Sequence, residues 1–360
     1  MEAGIKIRRA TESRIAEVDF NNIPFGRVFS DHIFMADYDG QQWINMEICP
    51  LHKIALHPAT MAWHYGQAIF EGMKASIDDE GNPLLFRPED HAKRFNVSAR
   101  RMCMPEFPVD VFVEALSKLI LIDKAWIPPQ EESALYIRPV MMATDEFVGV
   151  RSSDHFKMMV MCLPSGPYYS KPVSLLVEEK YVRACDGGVG EAKAAGNYGA
   201  SLYPAKLAKQ KGYDQVMWMD GREFKYVQEV GTMNIFFVID GVVVTPNLSG
   251  TILKGITRDS LITLLREKGH TVEERPLSIE EIHLAYLDGK LQEVFGAGTA
   301  AVIANVDRIG YKGEDMILNP ENFKLSPMLK SEINGIRKGR IEDKHHWIHP
   351  VYSEVLADIV

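Results

Sequence analysis

Near the middle of the chain, Pro164, Pro167 and Pro172 fall within nine residues, together with Gly166. Proline lacks an amide donor and fixes its own φ, so neither a helix nor a sheet interior runs through such a stretch. The chain on either side is long enough for its own core, since 360 residues exceed what one hydrophobic core usually serves. The expectation is two domains, residues 1–165 and 174–360, joined by a linker over 166–173.

Strand-like and helical segments alternate irregularly along both halves. Pro88 opens a helical stretch to about Cys103. Val109, Phe112, Val113, Leu116, Leu119 and Ile120 then recur at helical spacing. Leu135–Ala143 and His155–Leu163 read as strands, as do Val173–Val177, Asp214–Met219, Val242–Thr245 and much of Tyr226–Asp240. Ala200–Lys211 and Gly255–Lys268 read as helices, and Leu291 begins another strand. The fold class expected is α+β, with a strand-heavy second half.

Charge and cysteine usage narrow the possible partners. A net charge of −9, with 25% charged residues, argues against nucleic acid as the main partner and leaves small anions open. Cys49, Cys103, Cys162 and Cys185 form no CxxC pair, which suits free thiols in a reducing compartment. The first residues carry Lys6, Arg8, Arg9 and Arg14 without an apolar run, and no apolar stretch reaches bilayer length. A cytoplasmic protein without a membrane partner is the expectation.

Five segments could carry chemistry. Lys193 lies in a run of small residues from Asp186 to Gly199, but Ala192 and Ala194 flank it, so it is not a nucleotide phosphate loop. A lysine among small residues with little like charge is suited to Schiff-base formation, although a solvated loop lysine would look the same. Glu229 lies among apolar strand formers; it is either an edge residue facing water or a buried carboxylate in need of a partner. Gly255, Ile256 and Thr257 open a helix whose free amides and positive dipole could hold a phosphate. Phe295–Ala301 places small residues at a strand end, and Phe70–Ala75 follows Tyr65 by five residues.

Taken together and in order, these segments resemble a known family. The strings FEGMKA from Phe70, FRPEDHAKRF from Phe86, LYIRP from Leu135, Gly196-Asn197-Tyr198-Gly199, EVGTMNIFF from Glu229, LxGxxLxGITRxS from Leu248 and FGAGTA from Phe295 are similar to those of branched-chain-amino-acid aminotransferases. These are class IV, fold type IV pyridoxal 5'-phosphate enzymes. The likeness runs from about Pro24 to Trp347.

The resemblance implies an N-terminal α/β domain, a barrel-like C-terminal domain and the cofactor between them. It implies transfer of the amino group between L-leucine, L-isoleucine or L-valine and 2-oxoglutarate, through a Schiff base on Lys193, in ping-pong order. Around the cofactor it implies Arg94, Tyr198, Glu229, Thr232, Asn234, Leu253, Gly255, Ile256, Thr257 and Thr299. Around the substrate it implies Tyr65, Phe70, Tyr136, Arg138, Tyr168, Thr232, Thr299 and Ala300, with Val150 reaching the site of a second copy in a homodimer. Relatives with a CxxC pair after the FGxGTA segment differ here, where Ala301 and Ala304 stand. No metal is expected, because His345, His346 and His349 have no acidic or cysteine cluster beside them. D-amino acid transaminases and aminodeoxychorismate lyases share the fold and are the nearest alternatives, followed by a cofactor binder without turnover.

Overall fold

The computed structural model describes residues 4–352. They divide into two compact units. The first comprises the chain up to Tyr168, the short stretch Ala192–Ala195, and the chain from Gly335 onward. The second comprises Tyr169–Glu191 and Gly196–Asn334. The first crossing, after Tyr168, falls inside the proline-rich stretch. The other crossings correct the expectation of one continuous C-terminal domain over 174–360. Backbone pairing causes both departures: one comes from hydrogen bonds at Lys193, the other from the last strand.

The first unit contains β1 (Lys6–Ile7), β2 (His32–Tyr38), β3 (Trp43–Pro50), α1 (Met61–Tyr65), β4 (Ala68–Phe70), β5 (Met73–Ile77), β6 (Pro83–Phe86), α2 (Pro88–Arg101), α3 (Val109–Ile122), β7 (Ala134–Ala143) and β8 (Phe156–Ser165). In the second lie β9 (Val173–Val177), α4 (Ala195–Gln210), β10 (Gln215–Met219), β11 (Val227–Val230), β12 (Asn234–Ile239), β13 (Val242–Thr245), α5 (Ile256–Glu267), β14 (Val272–Glu274), α6 (Ile279–Leu287), β15 (Leu291–Gly298), β16 (Val302–Tyr311) and β17 (Glu314–Ile317). The helix α7 (Leu325–Arg337) follows, and β18 (Ile348–Pro350) returns to the first unit.

The first sheet runs β1-β3-β2-β8-β7-β5-β6-β18, with β4 also on β7. Its long central pair, β7 and β8, stays in register from Ala134↔Ser165 to Ala143↔Phe156. Pro164 is tolerated there because β2 pairs β8 only between Phe156 and Met161, leaving the proline on a locally free edge. Helix α2 has Pro88 in its first turn, acidic Glu89 and Asp90 beside it, and Arg100 and Arg101 in its last turn, which is the charge order a helix dipole favours. Its buried residues His91, Ala92, Phe95, Ser98 and Ala99 recur at helical spacing. Phe95 meets Phe112 of α3 at 5.9 Å between ring centroids, and Phe34, Phe107 and Leu116 fill the same core.

The second sheet runs β11-β10-β9-β16-β15-β12-β13-β14. A two-way backbone bridge, Val230↔Met233, joins β11 to the start of β12 and curls the first six strands of that order toward closure. The barrel-like expectation is met in this form. The ring is filled by Val230, Met233, Ile235, Val294, Ala304 and Val306.

At the start of helix α7 the buried carboxylate of Glu293, on β15, accepts the amides of Lys324, Leu325 and Ser326 at 2.6, 2.7 and 2.9 Å. Three charge-assisted bonds satisfy donors that a helix start otherwise leaves bare. Glu293→Ala should lower unfolding free energy by about 2–4 kcal/mol, by leaving buried amides without an acceptor. Urea denaturation with an unchanged midpoint would contradict this.

Candidate active site

The segment around Lys193 is stitched into the first unit by its backbone. The Lys193 amide donates to Ser98 Oγ of α2 at 2.9 Å. Its carbonyl accepts the Phe70 amide at 3.1 Å, and Ala194 bridges Ile69 in antiparallel fashion. Ala192 and Ala194 are each 1% exposed, so side chains larger than methyl would displace this packing. The small residues flanking the lysine therefore have a packing cause as well as a chemical one.

The lysine side chain meets a group of aromatic residues in the same unit. Its Nζ lies 5.0 Å from the Phe70 ring centroid, and Arg138 Cζ lies 4.8 Å from the same centroid. Arg138 also faces the Tyr136 ring at 5.3 Å and donates to its hydroxyl at 3.1 Å. The Nε of Arg138 is buried and finds no acceptor among the described residues. Phe25 stands edge-on to Tyr136 and Tyr168, at 5.3 and 5.1 Å between centroids. Gly72 admits this arrangement, since a Cβ there would fall 2.0 Å from the Tyr136 hydroxyl. Burial, then the neighbouring Tyr136, pushes the Tyr168 phenol above its ordinary pKa. One lysine, one arginine and four aromatic rings thus form a single group.

Behind Phe70 lies a buried charge cluster. Glu71, fully buried, accepts Arg94 Nε at Oε1 and Arg94 Nη2 at Oε2, both at 2.7 Å, and His91 Nδ1 lies 3.0 Å from Oε2. Burial pushes the Glu71 carboxyl up, but the charge and paired hydrogen bonds of Arg94, with the His91 contact, outweigh it and hold the group well below the usual carboxylate range. His91 is pulled down to about 4, chiefly by burial and further by the charges of Arg94 and Arg337, against the opposing pull of Glu71. The phosphate-binding expectation for Arg94 thus meets an arginine already fixed in orientation by a two-bond pair.

The second unit holds the other group. Glu229 on β11 is 4% exposed, and its Oε1 accepts the Leu253 amide at 2.8 Å and Asn234 Nδ2 at 3.4 Å. Asn234 also donates to the Leu253 carbonyl at 3.0 Å. The Glu229 Oε2 lies 2.9 Å from Arg183 Nε, an ion pair although that N–H does not point along the hydrogen-bond direction. Gly255 precedes α5 and must be glycine, since a Cβ would fall 1.9 Å from Asn234 Oδ1. The first amides of α5, at Ile256 and Thr257, have no side-chain cap from Gly255, and Thr257 is buried. An uncapped helix start behind a side-chain-free residue suits a dianionic phosphate.

The remaining expected residues occupy loops and helix ends. Tyr198 lies in the first turn of α4 and Thr232 is exposed on the β11–β12 turn. Thr299 and Ala300 are half-buried on the β15–β16 turn. Tyr65 ends α1 beside His64, and Val150 is 90% exposed, so neither joins the Phe70 ring contacts. Sequence reasoning missed Phe25, Glu71, Ser98 and Arg183. Glu71 and Arg183 carried a usable signal, a single charge between small or apolar neighbours; Phe25 and Ser98 carried none. Among the described residues, no three His, Cys, Asp or Glu side chains are grouped to hold a metal, and no helix is long and apolar enough to cross a membrane.

Comparison with known proteins places these groups in context. Residues 68–309 match the model of the family described as amino-transferase class IV. The chain is 45% identical over 342 residues to branched-chain-amino-acid aminotransferase 2 of Bacillus subtilis, covering 94% of each chain. It is 41% identical to the branched-chain-amino-acid aminotransferase of Mycolicibacterium smegmatis, over 91% of this chain and 92% of that one. Among solved structures, the Escherichia coli branched-chain amino acid aminotransferase superposes with a TM-score of 0.73 at 27% identity, over 89% of this chain and 99% of that one. The branched-chain amino acid aminotransferase of Thermobaculum terrenum in its PLP-bound holo-form also gives 0.73, at 26% identity, over 90% and 99%.

The buried cluster predicts a pH response. His91 has a folded-state value of about 4 against an ordinary 6.5, so the unfolded chain binds the extra proton between those values. Stability should be complete above pH 6.5 and fall as pH drops toward 4. Glu71, also depressed, adds to the loss as pH falls below the ordinary carboxylate range. Thermal melts of wild type and His91→Gln check this; equal slopes in that window would exclude His91 as the cause.

Proposed function

This chain belongs to the class IV amino-transferase family, and from that premise we propose that it moves the amino group between branched-chain L-amino acids and 2-oxoglutarate, with Lys193 as its catalytic residue. The observation that carries the reading is the backbone-pinned Lys193 with its Nζ over the Phe70 ring that Arg138 also meets. The cofactor is pyridoxal 5'-phosphate, which when bound supplies a ring that takes up the electron pair left when a Cα proton departs.

The residues present fit that group. Lys193 has a fixed backbone and a long, flexible side chain, which suits an amine that must attach, release and then carry a proton to and from Cα. Glu229 supplies a buried, oriented carboxylate for the ring nitrogen. Of the family-implied positions, the Ile256 and Thr257 amides with Thr299 in the second unit, and Arg94 in the first, would hold the phosphate, and Tyr198 would meet the ring's phenolic oxygen. Thr232, Asn234, Leu253 and Gly255 are the further residues we assign to cofactor binding.

Two substrates of different polarity must use one pocket. Phe70, Tyr136 and Tyr168, with Phe25, offer an apolar wall for a branched side chain; the expected Tyr65 stands apart from those ring contacts. Leucine, isoleucine and valine differ by too little apolar surface for such a wall to separate them sharply. Arg138, whose buried Nε lacks an acceptor among the described residues, receives the distal carboxylate of 2-oxoglutarate or L-glutamate. The amides near Thr299 and Ala300 take the α-carboxylate.

A second copy completes the assembly. Phe147, Val148 and Val150 are 43, 67 and 90% exposed on one loop. Asp145 braces that loop through Arg151 at 2.7 Å and the Asp154 amide at 3.0 Å. A held, exposed apolar loop is a contact surface, and we assign it to a homodimer of a cytoplasmic enzyme. Val150→Asp should lower the mass seen by light scattering toward the monomer; an unchanged mass would remove the loop from the interface.

The test of the function is an absorbance titration. The protein with pyridoxal phosphate should show a visible band that L-leucine bleaches and 2-oxoglutarate restores. Lys193→Ala should lose both changes while keeping its fold. Arg138→Met should lose about 1.5–3 kcal/mol of binding toward 2-oxoglutarate, roughly ten- to over a hundredfold in KM, with a smaller effect on L-leucine. A band that responds to D-alanine but not L-leucine would replace this reading with a D-amino acid transaminase. Pyruvate release from aminodeoxychorismate would replace it with the lyase.

A further inference from the structure

The guanidinium of Arg183 meets three separate stretches of the second unit. Its Nε lies 2.9 Å from Glu229 Oε2 on β11. Its Nη2 donates to the Thr251 carbonyl, on the loop before α5, and to the Gly190 carbonyl at 3.3 Å. The Arg183 side chain is 8% exposed and that of Glu229 is 5% exposed, so water does little to screen the pair. The loop from 183 to 190 can approach Thr251 only because Gly190 has no side chain. A Cβ there would fall 2.4 Å from the Thr251 carbonyl oxygen and 2.6 Å from Ala184 Cβ.

We propose that Arg183 is a positioning residue for transamination, acting through Glu229 to keep the proton on the cofactor's ring nitrogen; this rests on the reading of Glu229 as that nitrogen's partner. A proton shared by a carboxylate and a pyridine nitrogen has two resting places. On nitrogen, it leaves an ionised carboxylate beside a pyridinium; on oxygen, it leaves two neutral groups. The Arg183 charge favours the ionised carboxylate at contact distance. It would oppose a pyridinium less, because the carboxylate would stand between the two charges and Coulomb energy falls with distance. The net effect holds the proton on nitrogen, where the ring is the stronger electron sink.

The same side chain ties this effect to the phosphate end. Thr251 is held by Arg183, and two residues on, the Leu253 amide donates to Glu229 Oε1 at 2.8 Å. The loop leading into α5 is therefore anchored to the carboxylate from both of its oxygens. Arg183 reacts with nothing; it sets where Glu229 stands and which atom keeps the proton.

The test uses the full-length enzyme loaded with pyridoxal phosphate enriched with nitrogen-15 in its ring. Wild type should give the chemical shift of a protonated pyridine nitrogen. Arg183→Met should shift it toward the neutral value and lower kcat roughly ten- to a hundredfold, as when the partner orienting a reacting group is removed, with little change in the KM for L-leucine. Arg183→Lys, which keeps a charge near Oε2, should recover the protonated shift. If Arg183→Met loses its near-ultraviolet circular dichroism, Arg183→Gln is measured in its place. A neutral variant that binds the cofactor and keeps the wild-type shift overturns this inference alone. A wild-type protein that binds no cofactor overturns the functional reading, and this inference with it.

Discussion

Burying a carboxylate strips it of water, and the loss is offset by cations or hydrogen-bond donors at fixed places. Each unit of this protein holds such a group among its candidate site residues. In the first, Glu71 is gripped by Arg94 and His91, which ties β4 to α2. In the second, Glu229 is gripped by Arg183 and the Leu253 amide, which ties β11 to the loops on either side of it. Removing one partner of such a pair leaves a buried charge uncompensated, at a cost of about 3–5 kcal/mol. Each set of partners fixes the orientation of its carboxylate.

Around these anchors the groups we propose for catalysis divide by physical role. The lysine belongs to the first unit, where backbone bonds involving Ser98 and Phe70 hold its backbone and the Phe70 ring lies 5.0 Å from its Nζ. The buried carboxylate and the uncapped helix start belong to the second, where a glycine-lined approach leaves room for an anion. Proton transfer needs a mobile amine on a fixed pivot, whereas cofactor binding needs donors that do not move. On the proposed reading, different local structures meet the two requirements.

Much of this was legible in the chain. Strands β9 and β13 lie where composition puts them, and α2, α3 and α5 fall within their expected spans. Helix α4 begins at Ala195, five residues before the expected start, because Gly196 and Gly199 argue against helix locally while tertiary packing carries the turn through them. The early strands β2 and β3 were not anticipated. Their burial mixes buried and half-buried positions without clean alternation, so periodicity is weak.

What the sequence determined by itself is the set of chemical groups and their order: a lysine among small residues, a carboxylate among strand formers, and a glycine before a helix. These depend on residue type and near neighbours, which a linear chain displays. Tertiary structure alone decided the partners. Glu71 finds Arg94 across 23 residues, and Lys193 finds Ser98 across 95. The last strand, β18, returns to pair with β6 in the first unit. Such pairings depend on how desolvated charges and unpaired strand edges are satisfied in three dimensions, and no local pattern encodes which distant group will satisfy them.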